Sequence, residues 1–152
     1  MEIERKFLFN EGKDFNRDSP SFEITQHYIP FLRIRKTTNV NDYSEYFLTY
    51  KRGSGLVRVE HEWKVSSLLF DVLALWPFKT TIKKKRHIHL RDVVKEIVVD
   101  EFHDKKGLTL VEVEFESLEH AEAFRPENFK FLGKEVTNSS RYTNKYLAGG
   151  EI

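Results

Sequence analysis

Glu2-Ile3-Glu4-Arg5-Lys6-Phe7 opens the chain and predicts a β-strand with one strongly charged face. Successive side chains of a strand point to opposite faces, so Glu2, Glu4 and Lys6 lie on the same side. Two neighbouring carboxylates repel each other unless a cation lies between them, and Lys6 adds a positive charge that can bind phosphate. This stretch therefore suggests a divalent metal ion that holds a polyphosphate.

The composition limits the class of protein. The 152 residues are most simply one domain, residues 1–152, with 13 Phe and 6 Tyr to fill a core. Cys is absent, which excludes disulfides, thiolate metal sites and Cys nucleophiles and is compatible with a reducing cytoplasm. The second residue is charged and no apolar run approaches the length of a membrane span, so we expect a cytoplasmic protein without a signal peptide or a membrane partner.

The net charge gives no sign of a nucleic-acid partner. It is only +1 although 32% of the residues are charged, whereas a nucleic-acid binder usually has an excess of basic residues. We therefore expect no nucleic acid to bind. The oligomeric state stays open between a monomer and a homodimer.

Short segments rich in aromatic and β-branched residues predict eight strands. They lie near residues 2–9, 22–29, 31–37, 45–52, 57–65, 80–90, 94–102 and 108–116. Ser66 and Ser117 are suitable N-caps for two helices, and a third helix is expected over about 140–147. Because closure removes sheet edges, we expect an α+β, mainly β fold: a closed eight-stranded antiparallel barrel with a few helices packed outside.

Charged residues recur at every second position in most of these strands. The set holds seven cations and seven carboxylates: Lys6, Arg33, Arg35, Lys51, Arg58, Lys84 and Arg86, and Glu2, Glu4, Glu60, Glu62, Asp100, Glu112 and Glu114. A solvated outer face would also alternate polar and apolar residues, but it usually mixes in Thr, Ser, Gln and Asn. The carboxylates also form like-charged pairs, which weaken a strand unless something bridges them. If these faces turn inward, the barrel encloses a charged channel that is wet, internally paired or filled by ligand and metal.

Several segments, in one order along the chain, resemble the motifs of a known family. They are Glu2–Lys6 (ExExK), Gln26–Ile29, Leu32–Arg35, Leu48–Lys51 (LTxK), Arg58–Glu62 (RxExE), Lys84–Arg86 (KxR), Asp100–Phe102 (DxF), Glu112–Glu114 (ExE), and Gly133–Thr137 with Arg141–Asn144. The chain is similar to the small bacterial members of the CYTH superfamily, the triphosphate tunnel metalloenzymes.

The resemblance implies an eight-stranded tunnel in which cations bind phosphate and carboxylates hold Mg²⁺ or Mn²⁺. The implied phosphate-binding residues are Lys6, Arg33, Arg35, Lys51, Arg58, Lys84 and Arg86. The implied metal ligands are Glu2, Glu4, Glu112 and Glu114, with Glu60, Glu62 and Asp100 as remaining ligands or as partners of basic residues. The residues expected to carry catalysis are Glu2, Glu4, Lys6, Arg35, Lys84 and Glu114. We expect two ions, one that bridges phosphate oxygens and one that lowers the pKa of the attacking water.

The activity implied by the resemblance is metal-dependent hydrolysis of inorganic triphosphate to pyrophosphate and phosphate. Other activities of the family stay open: thiamine triphosphatase, nucleoside triphosphatase, RNA triphosphatase and class IV adenylate cyclase. So does a protein that binds polyphosphate or nucleotide without catalysis. His87 and His89 share one strand face and could bind a metal, but they alternate with Lys84 and Arg86, so we expect them to point away from the channel.

Overall fold

The structure is a computed structural model that describes residues 1–11, 15, 18–53, 55–89, 94–105 and 107–149. Within these residues the chain forms β1 (Glu2–Phe9), β2 (Ser21–Ile29), β3 (Leu32–Asn39), β4 (Ser44–Arg52), β5 (Val57–Val65), α1 (Ser67–Leu73), β6 (Thr80–His89), β7 (Glu96–Phe102), β8 (Thr109–Glu114), α2 (Leu118–Ala123), β9 (Leu132–Glu135) and α3 (Asn144–Gly149). Two short 3₁₀ helices cover Pro126–Asn128 and Ser140–Tyr142. The eight predicted strands are confirmed, except that Leu90, at the end of the sixth, lies outside the described residues.

Eight of the strands close into an antiparallel barrel. Their order is β5-β4-β3-β2-β6-β7-β8-β1, and β1 returns to β5 through the pairs Glu2–Arg58 and Ile3–Val57. The short strand β9 then pairs with the far end of β1. The predicted fold class is confirmed. The additional strand β9 was not predicted, because its four residues, Leu-Gly-Lys-Glu, show no strand pattern.

Local capping explains where the helices begin. Ser66 Oγ accepts a hydrogen bond from the Leu69 amide at 3.1 Å, and Ser117 Oγ accepts one from His120 at 3.1 Å, as predicted. The expected third helix divides in two, because Thr143 adopts an extended backbone and its Oγ1 caps α3. No helix in the described part of the chain is long and apolar enough to cross a membrane.

Two apolar clusters hold the barrel. The larger lies outside it, where Phe7, Val111 and Val113 pack with Phe131 beneath α2 and β9. Arg5 of β1 links this outer layer to the barrel. Its guanidinium donates hydrogen bonds to both carboxylate oxygens of Glu135 in β9 and to two carbonyl oxygens at the end of α2.

The smaller cluster lies at one end of the barrel. Leu147 of α3 is fully buried against Ile82, Phe102 and Leu110. These three residues lie on the same face as the charged set. Phe102 is opposite Lys84, Leu110 is opposite Asp100, and Ile82 is two positions before Lys84 in β6. The last helix therefore lies across an end of the lumen.

Candidate active site

Strand register brings the predicted charged residues onto the inner face of the barrel. Residues directly opposite each other in an antiparallel pair point to the same side of the sheet. The inward pairs include Glu2 with Arg58, Lys6 with Glu112, Lys51 with Glu60, and Arg86 with Asp100. Side chains that are up to about 110 positions apart in sequence thus share one lumen.

One group of ion pairs joins β1 to β4 and β5. Arg58 contacts the carboxylate of Glu4 and lies 3.5 Å from Glu2. Lys51 Nζ lies 3.5 Å from Glu2 and 3.3 Å from Glu60. Two carboxyls here also influence each other: burial raises the pKa of Glu2, and a hydrogen bond with Glu60 raises that pKa further.

A second group joins β6, β7 and β8 and is more deeply buried. Asp100 Oδ2 lies 2.7 Å from Lys84 Nζ, and both side chains are inaccessible to solvent. Burial alone would raise the pKa of Asp100, but Arg86 and Lys84 hold it below its usual value. Burial lowers the pKa of Lys84 to about 7; Asp100 opposes this shift, and Arg86 adds to it.

Lys6 extends this second group toward β1. Its Nζ lies 3.3 Å from Glu112 and donates to the carbonyl oxygen of Tyr142 at 3.1 Å. Burial opposes ionisation of Glu112, yet Lys6 and Arg86 hold the pKa of Glu112 well below its usual value. Glu112 is therefore an anion in the folded protein.

Glu4 lies between the two groups and behaves differently. Burial raises the pKa of Glu4 to about 8, and the negative charge of Glu112 adds to that shift more than Arg58 offsets it. The surroundings of Glu4 therefore favour its protonated form, although Arg58 and Lys6 oppose this shift.

Arg33 and Arg35 extend from β3 into the same lumen. Arg33 lies 3.4 Å from Glu60 and 3.8 Å from Glu62. Arg35 has no carboxylate within 4.0 Å among the described residues, and its Nε donates to Gln26 Oε1 at 3.2 Å. Burial lowers the pKa of Arg35 to about 9, with Arg33 and Arg86 adding to the shift, so its charge remains at neutral pH and is not neutralised by a partner.

Glu62 and Glu114 are partly exposed members of the predicted set. The side chain of Glu62 is 35% exposed. Glu114 is 26% exposed and pairs with Lys95 Nζ at 3.1 Å, on the same inward register as Glu4. The structure thus places all fourteen residues on the inner face.

A cavity of about 410 Å³ is lined by five of the fourteen charged residues. Its floor is charged and includes Glu4, Lys6, Arg33, Lys51 and Arg58. Its rim carries the ring side chains Tyr28, Phe31 and Tyr50, from the β2–β3 hairpin and from β4. The arrangement can take a compact anion with several charges, and a larger group can extend to the rim.

Known proteins share this architecture. The chain is 34% identical to the inorganic triphosphatase of Nitrosomonas europaea, over 97% of this chain and 96% of that protein. The chain belongs to the CYTH superfamily, the triphosphate tunnel metalloenzymes. The crystal structure of the inorganic triphosphatase NE1496 superposes with a TM-score of 0.62 at 30% identity, covering 97% of this chain and 94% of that one.

A more distant structure shows the same fold. The PH1819 protein from Pyrococcus horikoshii has a TM-score of 0.60 and 22% identity, covering 81% of this chain and 84% of that one. No protein-family model matches the chain.

Uncharged side chains also belong to this CYTH tunnel, and the alternation of charge along the strands did not indicate them. Gln26 and Thr49 are almost completely buried and contact Arg35 and Arg33, respectively. Asn144 Oδ1 accepts from Lys84 Nζ at 3.3 Å. Alternating charge does not reveal neutral partners. Gln26 and Thr49 nevertheless lie directly opposite Arg35 and Arg33, respectively, and so point into the barrel with them.

The two histidines of β6 point away from the tunnel, as predicted. His87 Nε2 lies 2.5 Å from Glu101 Oε1, and its ring packs edge-on against Phe15. His89 also packs against Phe15, in the outer layer of the barrel. Neither ring faces the carboxylates of the lumen.

The donor chemistry of the tunnel fits a hard divalent cation. Mg²⁺ and Mn²⁺ prefer carboxylate oxygens, and Glu2, Glu4 and Glu112 supply them on the inner face of the barrel. As the side chains stand, no group of three or more acidic or histidine side chains in the described residues is arranged around a metal. Glu4 instead contacts Arg58, so a metal here would have to displace that ion pair.

Proposed function

We propose that this protein hydrolyses inorganic triphosphate to pyrophosphate and phosphate inside the tunnel, with the help of a divalent metal ion. The observation that carries the proposal is the convergence of seven cations on one lumen, with Arg35 free of any carboxylate partner among the described residues. The activity named for the Nitrosomonas europaea relative supports the choice of substrate. The lack of Cys supports a cytoplasmic location.

The cations have a direct chemical role in this proposal. Inorganic triphosphate repels an incoming nucleophile, because its oxygens carry several negative charges. Arginines form bidentate hydrogen bonds with phosphoryl oxygens, and lysines add point charges. Positioning and charge stabilisation supply most of the catalysis in phosphoryl transfer, so no protein nucleophile is required.

The balance of charges supports a metal requirement. The predicted set on the inner face comprises seven basic and seven acidic residues, which leaves little net positive charge for a polyanion. Binding triphosphate without added positive charge would leave buried negative charges unpaired, which is unfavourable by several kcal/mol. We propose that Glu2, Glu4 and Glu112 hold the metal, with Glu60, Glu62, Asp100 and Glu114 as further ligands or as partners of the basic residues. A bound metal would neutralise phosphate oxygens and lower the pKa of a coordinated water.

Residues of this chain would then prepare the site. Asp100 fixes Arg86 and Lys84, and Glu60 lies beside Lys51 and Arg33. If Glu4 held a metal, Arg58 would no longer be held in its ion pair with Glu4. The released guanidinium could then contact phosphate.

The direct test is phosphate release from inorganic triphosphate with Mg²⁺, with Mn²⁺ and with EDTA. We expect hydrolysis with a metal and none with EDTA. Rapid metal-independent hydrolysis would contradict the metal part of the proposal. Binding of triphosphate without any phosphate release would contradict hydrolysis and identify a binding protein.

A second candidate is an organic triphosphate, because the cavity rim carries Tyr28, Phe31 and Tyr50. Aromatic rings at this place could stack on a base or a thiazolium ring. The same assay with ATP and thiamine triphosphate separates the candidates. A higher kcat/KM for either than for inorganic triphosphate would replace the leading proposal.

A further inference from the structure

Arg35 differs from the other six tunnel cations in the side chain that contacts it. Each of the others lies within 4.0 Å of a carboxylate. Arg35 has no such partner among the described residues, and its Nε donates to the amide oxygen of Gln26 at 3.2 Å. A neutral side chain thus occupies the position where the other cations meet an anion.

The amide of Gln26 is itself fixed in orientation. Gln26 is completely buried and lies directly opposite Arg35 in the β2–β3 register. A guanidinium has only donors, so the atom facing it has to be the amide oxygen. The amide nitrogen then points the other way and donates to Tyr28 Oη at 3.2 Å. Tyr28 therefore holds the amide so that its acceptor faces Arg35.

A carboxylate at this position would act differently from the amide. It would pair with Arg35 and neutralise the charge that an entering anion needs. The amide accepts from Nε alone and adds no charge. The two Nη groups have no hydrogen-bond partner that the structure records among the described residues, so they remain for an incoming oxyanion.

We propose that Gln26 is a positioning residue that orients Arg35 for a phosphate group of the substrate while leaving its positive charge unpaired. This inference rests on the proposed function, since it concerns the same anion site. It assigns to an uncharged residue a role in substrate affinity. Gln26 has no direct contact with the substrate in this proposal and acts through Arg35.

Gln26→Glu tests the proposal, because the substitution keeps the shape and the acceptor but adds a negative charge. We expect inorganic triphosphate to bind about tenfold more weakly or worse, measured through KM in the presence of metal, because a charged hydrogen bond to phosphate is lost. With metal present, KM should rise more than kcat falls. Asn128→Asp is the matched control, since it makes the same chemical change at an exposed position outside the barrel.

Two further measurements separate positioning from packing. Gln26→Met removes the acceptor without adding charge, and we expect a smaller loss of affinity than with Gln26→Glu. A packing role would make Met, the less isosteric residue, the worse of the two. In an Arg35→Ala background, Gln26→Glu should cause no additional loss, because its partner is gone.

The results distinguish this inference from the proposed function. Equal triphosphate affinity of the wild type and a folded Gln26→Glu variant would overturn the inference alone. A Gln26→Met variant that binds triphosphate as tightly as the wild type would also overturn the inference, whether or not the Gln26→Glu variant folds. Absence of triphosphate binding by the wild-type protein would overturn the proposed function and this inference with it.

Discussion

Arg86 and Asp100 form a two-pronged ion pair across β6 and β7: Nε and Nη2 of the arginine donate to the two carboxylate oxygens at 2.7 and 2.8 Å. The same carboxylate accepts from Lys84 at 2.7 Å. One buried anion thus holds two tunnel cations in place. Because bidentate geometry fixes direction as well as distance, the pair presents Arg86 to the lumen in a defined orientation.

Asp100→Asn should destabilise the fold, because it leaves Lys84 and Arg86 buried with less negative charge. Removing one partner of a buried ion pair lowers the free energy of unfolding by about 3 kcal/mol or more. Urea denaturation measures this change. Lys95→Gln breaks the exposed pair with Glu114 and is the control, with an expected change below about 1 kcal/mol. Equal stability of Asp100→Asn and the wild type would show that the buried pair contributes little.

Glu4→Gln should abolish hydrolysis and preserve the fold. The amide has the shape of the carboxyl and can still accept from Arg58. A loss of kcat by at least about a hundredfold is expected where a group acts in electrostatic catalysis. Steady-state kinetics with Mg²⁺ and a thermal melt are the two measurements. A Glu4→Gln enzyme with most of its metal-dependent activity would exclude this carboxylate from the site.

A metal ion should bind to the tunnel in the absence of substrate. Calorimetric titration with Mn²⁺ measures this directly, and a raised melting temperature should accompany binding, because the ion stabilises the folded state. Glu2→Gln and Glu4→Gln should each weaken Mn²⁺ binding. Glu116→Gln, an exposed glutamate just beyond β8, is the control. Unchanged Mn²⁺ affinity in both tunnel variants would remove them from the metal site.

The Arg5–Glu135 pair should make stability depend on pH. Hydrogen bonds from Arg5 lower the pKa of Glu135 below its ordinary value of 4.5. A lowered pKa stabilises the fold above the ordinary value, and this contribution disappears as the pH falls through the folded-state pKa. Glu135→Gln should therefore cost about 1 kcal/mol at pH 7. The difference from the wild type should shrink as the pH falls below about 4.5.

Urea denaturation of the wild type and of Glu135→Gln between pH 7 and pH 3.5 checks this pH dependence of stability. Glu127→Gln is the control, because Glu127 and its partner Arg125 are both largely exposed and lie 3.7 Å apart. That substitution should change stability little at any pH. A Glu135→Gln effect that stays constant down to pH 3.5 would contradict the ionic origin of the contribution.

Much of the site could be predicted from the sequence because alternation along a strand is local. Glu2, Glu4 and Lys6 share a face in any extended backbone, whatever strand pairs with them. The same holds for Arg33 with Arg35 and for the caps at Ser66 and Ser117. These features depend on dihedral angles and on hydrogen bonds that span only a few residues.

Tertiary structure alone decided which of these groups meet. Register between distant strands places Arg86 opposite Asp100 and brings Arg58 into contact with Glu4. It places an amide, not a carboxylate, beside Arg35. It also brings Tyr142 and Asn144 of the C-terminal segment to Lys6 and Lys84. Strand pairing and closure depend on the whole barrel at once, so charge periodicity predicts an inward face but not the partner of each charge.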